Sequence, residues 1–119
     1  SRIKGWVLLD NKEWIGCCFI STRTRYYNEN GVHFLEICTF PNYRNKGYGK
    51  YLVKIMFDNA LNSEKSVCIN QDNIPSIRLF TEYGFKYFDK RKSGLWNIYK
   101  CDKSYYPEIL KDVKIINID

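Results

Sequence analysis

The chain has 119 residues, of which 45% are hydrophobic, and this size predicts one domain whose core needs no metal or disulfide framework. No apolar run reaches the roughly 20 residues that span a membrane, and the first residues resemble neither a signal nor a transit peptide. The formal net charge of +6 favours an anionic partner such as nucleic acid, a membrane surface or a polyphosphate cofactor, with a solvated basic face as the alternative.

Residues 3–9 and 14–21 are apolar, β-rich runs, and the four-residue turn DNKE between them predicts an antiparallel hairpin. The polar stretch TRTRYYNENG, residues 22–31, predicts a loop. Residues 32–40, VHFLEICTF, are apolar nearly throughout and predict a central strand that Pro41 ends.

From Gly47 to about Leu61, apolar residues recur at helical spacing. Residues 65–70 predict a short strand, and residues 74–84 predict a second helix that ends in glycine. The runs FKYFDK and LWNIYKCD predict a closing hairpin, and residues 107–119 predict a helical turn and then an edge strand.

The predicted order of elements is therefore β-β-loop-β-α-β-α-β-β. Hairpins at both ends surround a single β-α-β-α unit, which predicts a mixed α/β fold with a mostly antiparallel sheet. We interpret the whole chain, residues 1–119, as one domain.

The five cysteines are odd in number, form no C-x-x-C motif and share the chain with a single histidine. Most of them lie in apolar, strand-like runs. We therefore interpret them as small buried thiols and expect neither a metal site nor a redox role. This usage predicts an intracellular location, cytoplasmic or nuclear. The five residues are Cys17, Cys18, Cys38, Cys68 and Cys101.

The stretch FPNYRNKGYGKYLV, residues 40–53, joins the central strand to the first predicted helix. The first amides of a helix have no partner within it, and the helix dipole adds partial positive charge there. Gly47 and Gly49 leave room for an anion to reach these amides, and Arg44 and Lys46 add formal charge. The stretch thus predicts a site for a diphosphate.

Two common glycine motifs fail on spacing. A P-loop needs Ser or Thr where Tyr51 follows Lys50, and a dinucleotide fingerprint needs a third glycine where Leu52 stands. The pattern R-x-x-G-x-G does match, over residues 44–49, and N-x-x-[AS]-x-x-[LF]-[YF]-x-x-x-G-F matches residues 73–85. With one helix and one strand between them, the two patterns resemble the motifs of the GNAT superfamily of N-acetyltransferases, and the resemblance covers about residues 3 to 100.

This resemblance implies that the chain binds acetyl-CoA. It implies that strand 32–40 splays from strand 65–70, that the pantetheine arm lies in the gap, and that the pyrophosphate sits on backbone amides from Asn45 to Lys50. The residues that it implies in cofactor binding are Cys38, Thr39, Phe40, Arg44, Asn45, Lys46, Gly47, Tyr48, Gly49, Lys50, Asn73, Ser76 and Phe80.

In the family, the general base is often a carboxylate on the strand before the first motif, and Glu36 is the only carboxylate within VHFLEICTF. By period two, we expect Phe34, Glu36, Cys38 and Phe40 to share one face. A carboxylate among such apolar neighbours suits a base. A structural or solvent-facing Glu36 is the alternative, and two further candidate bases are Glu13 and Glu29.

The sequence departs from the family pattern in two respects. Phe80 stands where the family usually has a tyrosine acid, and Tyr83, about one turn further on, is a weak substitute, so we assign no general acid. The sequence also starts almost at the first hairpin, whereas family members usually have a strand and one or two helices before it, which wall the acceptor site. We interpret it either as a minimal domain or as a chain without its upstream sequence. The acceptor groove is then open, completed by another chain, or covered by the tail, residues 103–119, which could instead lie in a dimer contact. We expect the loop at residues 22–31 to form part of the rim of the groove.

The sequence therefore predicts an acetyl-CoA-dependent N-acetyltransferase that acts on a primary amine, with a small amine such as a polyamine preferred over a protein lysine. A cationic acceptor needs acidic contacts, and the candidates are Glu13, Glu29, Glu36, Asp112 and Asp119. One alternative is a degenerate member that binds CoA without catalysis. Another is a basic nucleic-acid-binding module, which explains the charge but not the two motifs. We expect a monomer or homodimer with no membrane partner.

Overall fold

The computed structural model describes residues 2–22 and 31–114. One 6-stranded sheet has the order β1-β2-β3-β4-β6-β5, and within the described residues the β3–β4 pair is parallel while the other pairs are antiparallel. This arrangement confirms the predicted order and fold class. The elements are β1 (Ile3–Asp10), β2 (Glu13–Ser21), β3 (Val32–Thr39), α1 (Gly49–Asp58), β4 (Lys65–Asn70), α2 (Ile74–Glu82), β5 (Lys86–Lys90) and β6 (Trp96–Cys101), with 3-10 turns at Pro41–Tyr43 and Glu108–Leu110.

The first hairpin turn and both ends of helix α1 differ from the prediction. The first hairpin turns on two residues rather than four, because Asn11 and Lys12 both have positive φ, at 49° and 68°, as the tight turns that match strand twist require. Helix α1 begins at Gly49 rather than at Gly47, whose φ of 83° is incompatible with a right-handed helix. It also ends at Asp58, three residues before Leu61.

Both helices pack on one face of the sheet, which we call the helix-covered face. Four phenylalanines form its centre, and the ring centroids in four of their pairs lie 5.4 to 5.9 Å apart. Phe85 contacts each of the other three, which are Phe34, Phe57 and Phe80. Their burial, together with the fully buried face of α1, supplies the main hydrophobic stabilisation of the fold. The fully buried residues of α1 are Leu52, Val53, Met56 and Phe57.

A β-bulge in β3 reverses the direction of the side chains that follow it. Ile20 pairs with Phe34, but the preceding residue Phe19 pairs with Glu36, so Leu35 is the extra residue. Phe34 therefore lies on the helix-covered face, while Glu36 lies on the opposite face. The prediction that Phe34 and Glu36 share a face was wrong, because it assumed an uninterrupted period of two.

No helix of the described chain packs on the opposite face, which we call the open face. Cys17 pairs directly with Cys38 there, and Cys68 lies on the same face of β4. These three thiols are half-buried, whereas Cys18 and Cys101 are buried, so the interpretation of buried thiols holds for the latter two alone. The residues on the open face include Ile3, Val7, Cys17, Phe19, His33, Glu36, Cys38, Ser66 and Cys68.

The described part of the tail is fixed to α1. Pro107 and Leu110 are buried, and Lys54 Nζ donates to the Tyr106 hydroxyl at 2.9 Å and to the Leu110 carbonyl at 3.1 Å. The Tyr106 hydroxyl in turn donates to Asp58 Oδ1 at 2.6 Å. The expected edge strand falls largely on residues 115–119, which lie outside the described residues. A tail that covers an acceptor groove or a dimer contact stays a prediction.

Across residues 2–22 and 31–114, no helix is both long and apolar enough to cross a membrane. The same residues contain no group of three or more side chains placed to hold a metal ion.

Candidate functional site

The candidate site lies where β3 and β4 separate. The two strands pair only from Val32 to Phe34, opposite Lys65 to Val67, and beyond this point neither strand pairs with the other. The predicted splay is thereby confirmed. Because the strands are parallel, their carboxyl ends point to the same edge of the sheet, where both α1 and α2 begin.

The loop that leads into α1 presents a row of unbonded backbone amides. Among the described residues, the amides from Asn45 to Lys50 have no hydrogen-bond acceptor. Tyr48, the N-cap residue, supplies no side-chain cap, and the first turn contains no acidic residue. Positive φ values of 61° at Asn45 and 83° at Gly47 curve the loop in the manner of a backbone nest. The arrangement suits an anion.

Gly49 is a glycine that the fold itself does not require. Its φ is not positive, and a Cβ added there would meet only Leu79 Cδ1, at an ordinary contact distance of 3.8 Å. The missing side chain instead leaves open space in front of the first turn of α1. A diphosphate that approaches the amides would occupy this space, so the residues present fit the expected group.

The basic side chains of the loop divide into two kinds. Arg44 Nε donates to the Thr39 carbonyl at 3.0 Å, so Arg44 also ties the loop to the end of β3. Lys46 Nζ lies 6.0 Å from the ring centroid of Tyr43, and Lys50 Nζ lies 5.3 Å from that of Tyr51. Both lysines are exposed, so each can contact an anion while its ammonium group stays over the tyrosine ring.

Two tyrosine–carboxylate hydrogen bonds, which the sequence did not reveal, connect this loop to the first hairpin. The Tyr43 hydroxyl donates to Glu13 Oε2, and the Tyr48 hydroxyl donates to Asp10 Oδ2 at 3.2 Å. The hydrogen bond to Glu13 is the main cause of a raised pKa for Tyr43. Burial, followed by the bond to Asp10, raises the pKa of Tyr48.

The second motif forms the start and the buried side of α2. Asn73 is the N-cap, and its Oδ1 accepts a hydrogen bond from the Ser76 amide at 3.3 Å. Phe80 is 3% exposed and packs in the phenylalanine cluster, which explains why a phenylalanine is stable there. Tyr83 is also buried, and burial raises the pKa of its hydroxyl, which makes it a poor acid. Contacts of Asn73, Ser76 and Phe80 with a cofactor stay predictions.

Glu36 lies two residues beyond the last β3–β4 pair, at the mouth of the gap. It is exposed, so the apolar surroundings expected from its sequence neighbours are absent. Burial raises the pKa of the Cys17 thiol, and the nearby Cys38 and Glu36 add to this effect, which places the carboxylate close to Cys17. Glu36 as a base stays a prediction, and Glu29 lies outside the described residues.

A sequence model described as the acetyltransferase (GNAT) family matches residues 2–85. No curated protein sequence matches the chain significantly. Several solved structures share its fold. One protein from Pyrococcus horikoshii is 17% identical with a TM-score of 0.72, and the match covers 81% of this chain and 62% of that one.

The PaiA N-acetyltransferase of Thermoplasma acidophilum, in complex with coenzyme A, is 22% identical with a TM-score of 0.68, over 85% of this chain and 61% of that one. A mutant of the Vibrio cholerae spermidine N-acetyltransferase SpeG is 18% identical with a TM-score of 0.71, over 87% and 66%. The chain thus spans less than two thirds of the length of these three structures.

Proposed function

Since the chain belongs to the GNAT acetyltransferase family, we propose that it transfers an acetyl group from acetyl-CoA to a primary amine. The observation that carries this proposal is the row of unbonded amides from Asn45 to Lys50. The row stands in front of a helix N-terminus, and Gly49 leaves the space before it empty. A diphosphate is a ligand that such amides bind well.

In this proposal, each part of the site holds a part of the cofactor. The amides from Asn45 to Lys50 bind the diphosphate, and Lys46 and Lys50 add positive charge. The gap between β3 and β4 takes the pantetheine, beside residues 38–40 on one side and residues 73–80 on the other. When bound, acetyl-CoA supplies a thioester carbonyl that an amine can attack.

Glu36 has the role of general base. An alkylamine has a pKa of about 10, so only about one molecule in a thousand is neutral and nucleophilic at pH 7. The carboxylate removes the ammonium proton directly or through a water molecule. Because Glu36 is exposed on the open face, the amine approaches the gap from that face. No residue is assigned as an acid, since Phe80 has no hydroxyl and Tyr83 is buried.

For the acceptor, we propose a small amine such as a polyamine, in a monomer or homodimer located inside the cell. One similar structure is a spermidine N-acetyltransferase, and the acidic Glu36 at the mouth of the gap suits a cation. A lysine side chain of a protein is the alternative acceptor. A second candidate function is CoA binding without catalysis, which the phenylalanine at position 80 favours.

The test of cofactor binding compares wild type with Gly49→Val by calorimetry against CoA. We expect wild type to bind and the variant to lose roughly a hundredfold in affinity, because the valine side chain blocks hydrogen bonds to a charged group. The fold should survive, since a Cβ has room at this position. A wild type that binds DNA but not CoA would contradict the proposal.

The test of catalysis uses Glu36→Gln, with Glu82→Gln as the matched control because Glu82 is also exposed and lies at the far end of α2. Acetylation of polyamines, aminoglycosides and histone peptides is measured at neutral pH. We expect Glu36→Gln to retain CoA binding and lose most turnover, while the control retains both. Unchanged turnover in Glu36→Gln would assign the base to another group.

A further inference from the structure

We propose that Asp10 and Glu13 are positioning residues, which hold the diphosphate loop (residues 43–50) in its binding geometry through the hydroxyls of Tyr48 and Tyr43. The inference rests on the proposed function, because it takes this loop to be the diphosphate site. It gives the first hairpin a role in cofactor binding that neither sequence motif contains.

The sheet places the two carboxylates beside the loop. Asp10 pairs with Glu13 across the tight turn of the first hairpin, so their side chains are neighbours. Gly16, just after this turn, pairs with Thr39 at the end of β3, because β2 is antiparallel to β3. The hairpin turn therefore lies at the same edge of the sheet as the loop that follows β3.

The two hydrogen bonds hold the loop on both sides of its curved part. Tyr43, which donates to Glu13, precedes Asn45 and Gly47, the two residues with positive φ. Tyr48, which donates to Asp10, follows them and is the N-cap of α1. The two tyrosine rings also contact each other edge to face, with centroids 6.0 Å apart.

A loop of this shape needs such support. Asparagine tolerates a positive φ better than most residues, but the φ of 61° at Asn45 still costs free energy, so contacts around the loop help to keep this conformation. A loop that is already ordered in the free protein loses less conformational entropy when CoA binds, and this favours binding. Tyr43 also lies beneath Lys46, and Tyr48 contacts Tyr51, which lies beneath Lys50, so the same rings place both lysines.

The role of the carboxylates is indirect. A carboxylate against a diphosphate would repel it, so neither Asp10 nor Glu13 is suited to contact the ligand. They instead accept hydrogen bonds from the hydroxyls of Tyr43 and Tyr48 and so fix the positions of these two residues of the loop.

The experiment removes the two hydroxyls and keeps the rings, in the double variant Tyr43→Phe/Tyr48→Phe. Tyr51→Phe is the matched control, because its ring belongs to the same cluster but its hydroxyl bonds to no described residue. Loop order is measured without ligand, as the rate of tryptic cleavage after Arg44 and Lys46. Cofactor binding is measured as the dissociation constant of CoA and as KM for acetyl-CoA against kcat.

We expect cleavage of the double variant to be several-fold faster and its CoA affinity to fall roughly tenfold, since two hydrogen bonds are lost. KM for acetyl-CoA should rise while kcat changes little, and the control should behave as wild type. Glu13→Gln keeps an acceptor oxygen and should retain the CoA affinity of wild type, whereas Glu13→Leu should weaken it several-fold. Equal affinities for Gln and Leu would overturn the positioning role.

The failures of the two proposals are distinguishable. If wild type binds CoA and the double variant binds it equally well, the inference is overturned and the proposed function stands. If wild type does not bind CoA, the proposed function is overturned. Equal rates of tryptic cleavage in wild type and double variant would in addition show that the two tyrosine hydroxyls do not order the loop.

Discussion

The two faces of the sheet are built from the same strands but differ in what they contain. On the helix-covered face, Phe34 and Phe57 pack in a cluster with almost no exposed surface. On the open face, Glu36 is exposed and Val7 retains 45% of its surface. Cys17 and Cys18 are adjacent in the chain, yet the first is half-buried and the second fully buried. Burial stabilises the first face, whereas the second leaves side chains such as those of Glu36 and Val7 exposed.

The comparison implies that substitutions on the two faces should have different consequences. Changes on the helix-covered face should act on the free energy of unfolding. Changes on the open face should act mainly on binding and turnover, with His33 as the one residue expected to break this division.

The largest expected effect is that of Phe57→Ala, with Val7→Ala as its counterpart on the open face. Phe57 is 0% exposed, so we expect its truncation to cost about 3–5 kcal/mol of unfolding free energy through lost burial and a cavity. The exposed Val7 should change stability by less than about 0.5 kcal/mol. Urea denaturation of both variants measures the difference, and equal costs would abolish the distinction between the faces.

The next effect concerns His33, which lies on the open face but is not free to solvent. Its Nδ1 is 2.8 Å from Ser66 Oγ, and burial, together with the positive charge of Arg91, lowers the pKa of His33 from 6.5 to about 4. Between pH 6.5 and about pH 4, the unfolded chain therefore binds a proton at His33 that the folded chain does not bind. Stability should be fully present above pH 6.5 and fall as the pH drops to about 4, by up to about 3 kcal/mol.

His33→Gln isolates this contribution, because the variant cannot titrate at position 33 while all carboxylates remain. Unfolding free energies of variant and wild type are compared from pH 7.5 to pH 4 in about half-unit steps. The loss should be smaller in the variant. Parallel curves would show that His33 is protonated equally in the folded and unfolded states, which would contradict the lowered pKa of His33.

The smallest effect is expected from the neighbouring thiols. Cys18→Ser places a hydroxyl in an apolar core and should cost about 1–3 kcal/mol, whereas Cys17→Ser should cost less than about 1 kcal/mol. Burial also raises the pKa of Cys18 to about 12 and that of Cys101 to about 11, so neither forms a thiolate at neutral pH. Alkylation of the native protein, followed by mass spectrometry, should modify the half-buried Cys38 and Cys68 before them. Early modification of Cys18 would contradict its assigned face.

The sequence predicted those features that depend on local pattern. Alternating and helical spacing identified the strands and both helices in order, and the glycine at position 84 ends α2 with a φ of 96°, as the prediction of a helix stop requires. The two motifs placed the loop of residues 43–50 and the cap Asn73 at one edge of the sheet, because parallel strands must end together.

The features that the sequence missed depend on partners distant in the chain or on interruptions of period. Tyr43 bonds Glu13 and Tyr48 bonds Asp10 across 30 and 38 positions, and no local pattern indicates such a pair. The turn at Asn11 and Lys12 is shorter than predicted because the strands continue through Asp10 and Glu13. The exposure of Glu36 could not be predicted from its apolar neighbours, since Phe34 and Ile37 point to the other face and Leu35, in the bulge, is itself exposed.

The bulge at Leu35 has a consequence for how such a protein can change during evolution. A single added residue in a strand shifts the alternation of side chains between the two faces of the sheet. Every side chain after it moves between interior and surface, although none of those residues is replaced. One inserted codon is thus enough to carry a carboxylate out of a hydrophobic core and into solvent, and one deleted codon is enough to return it.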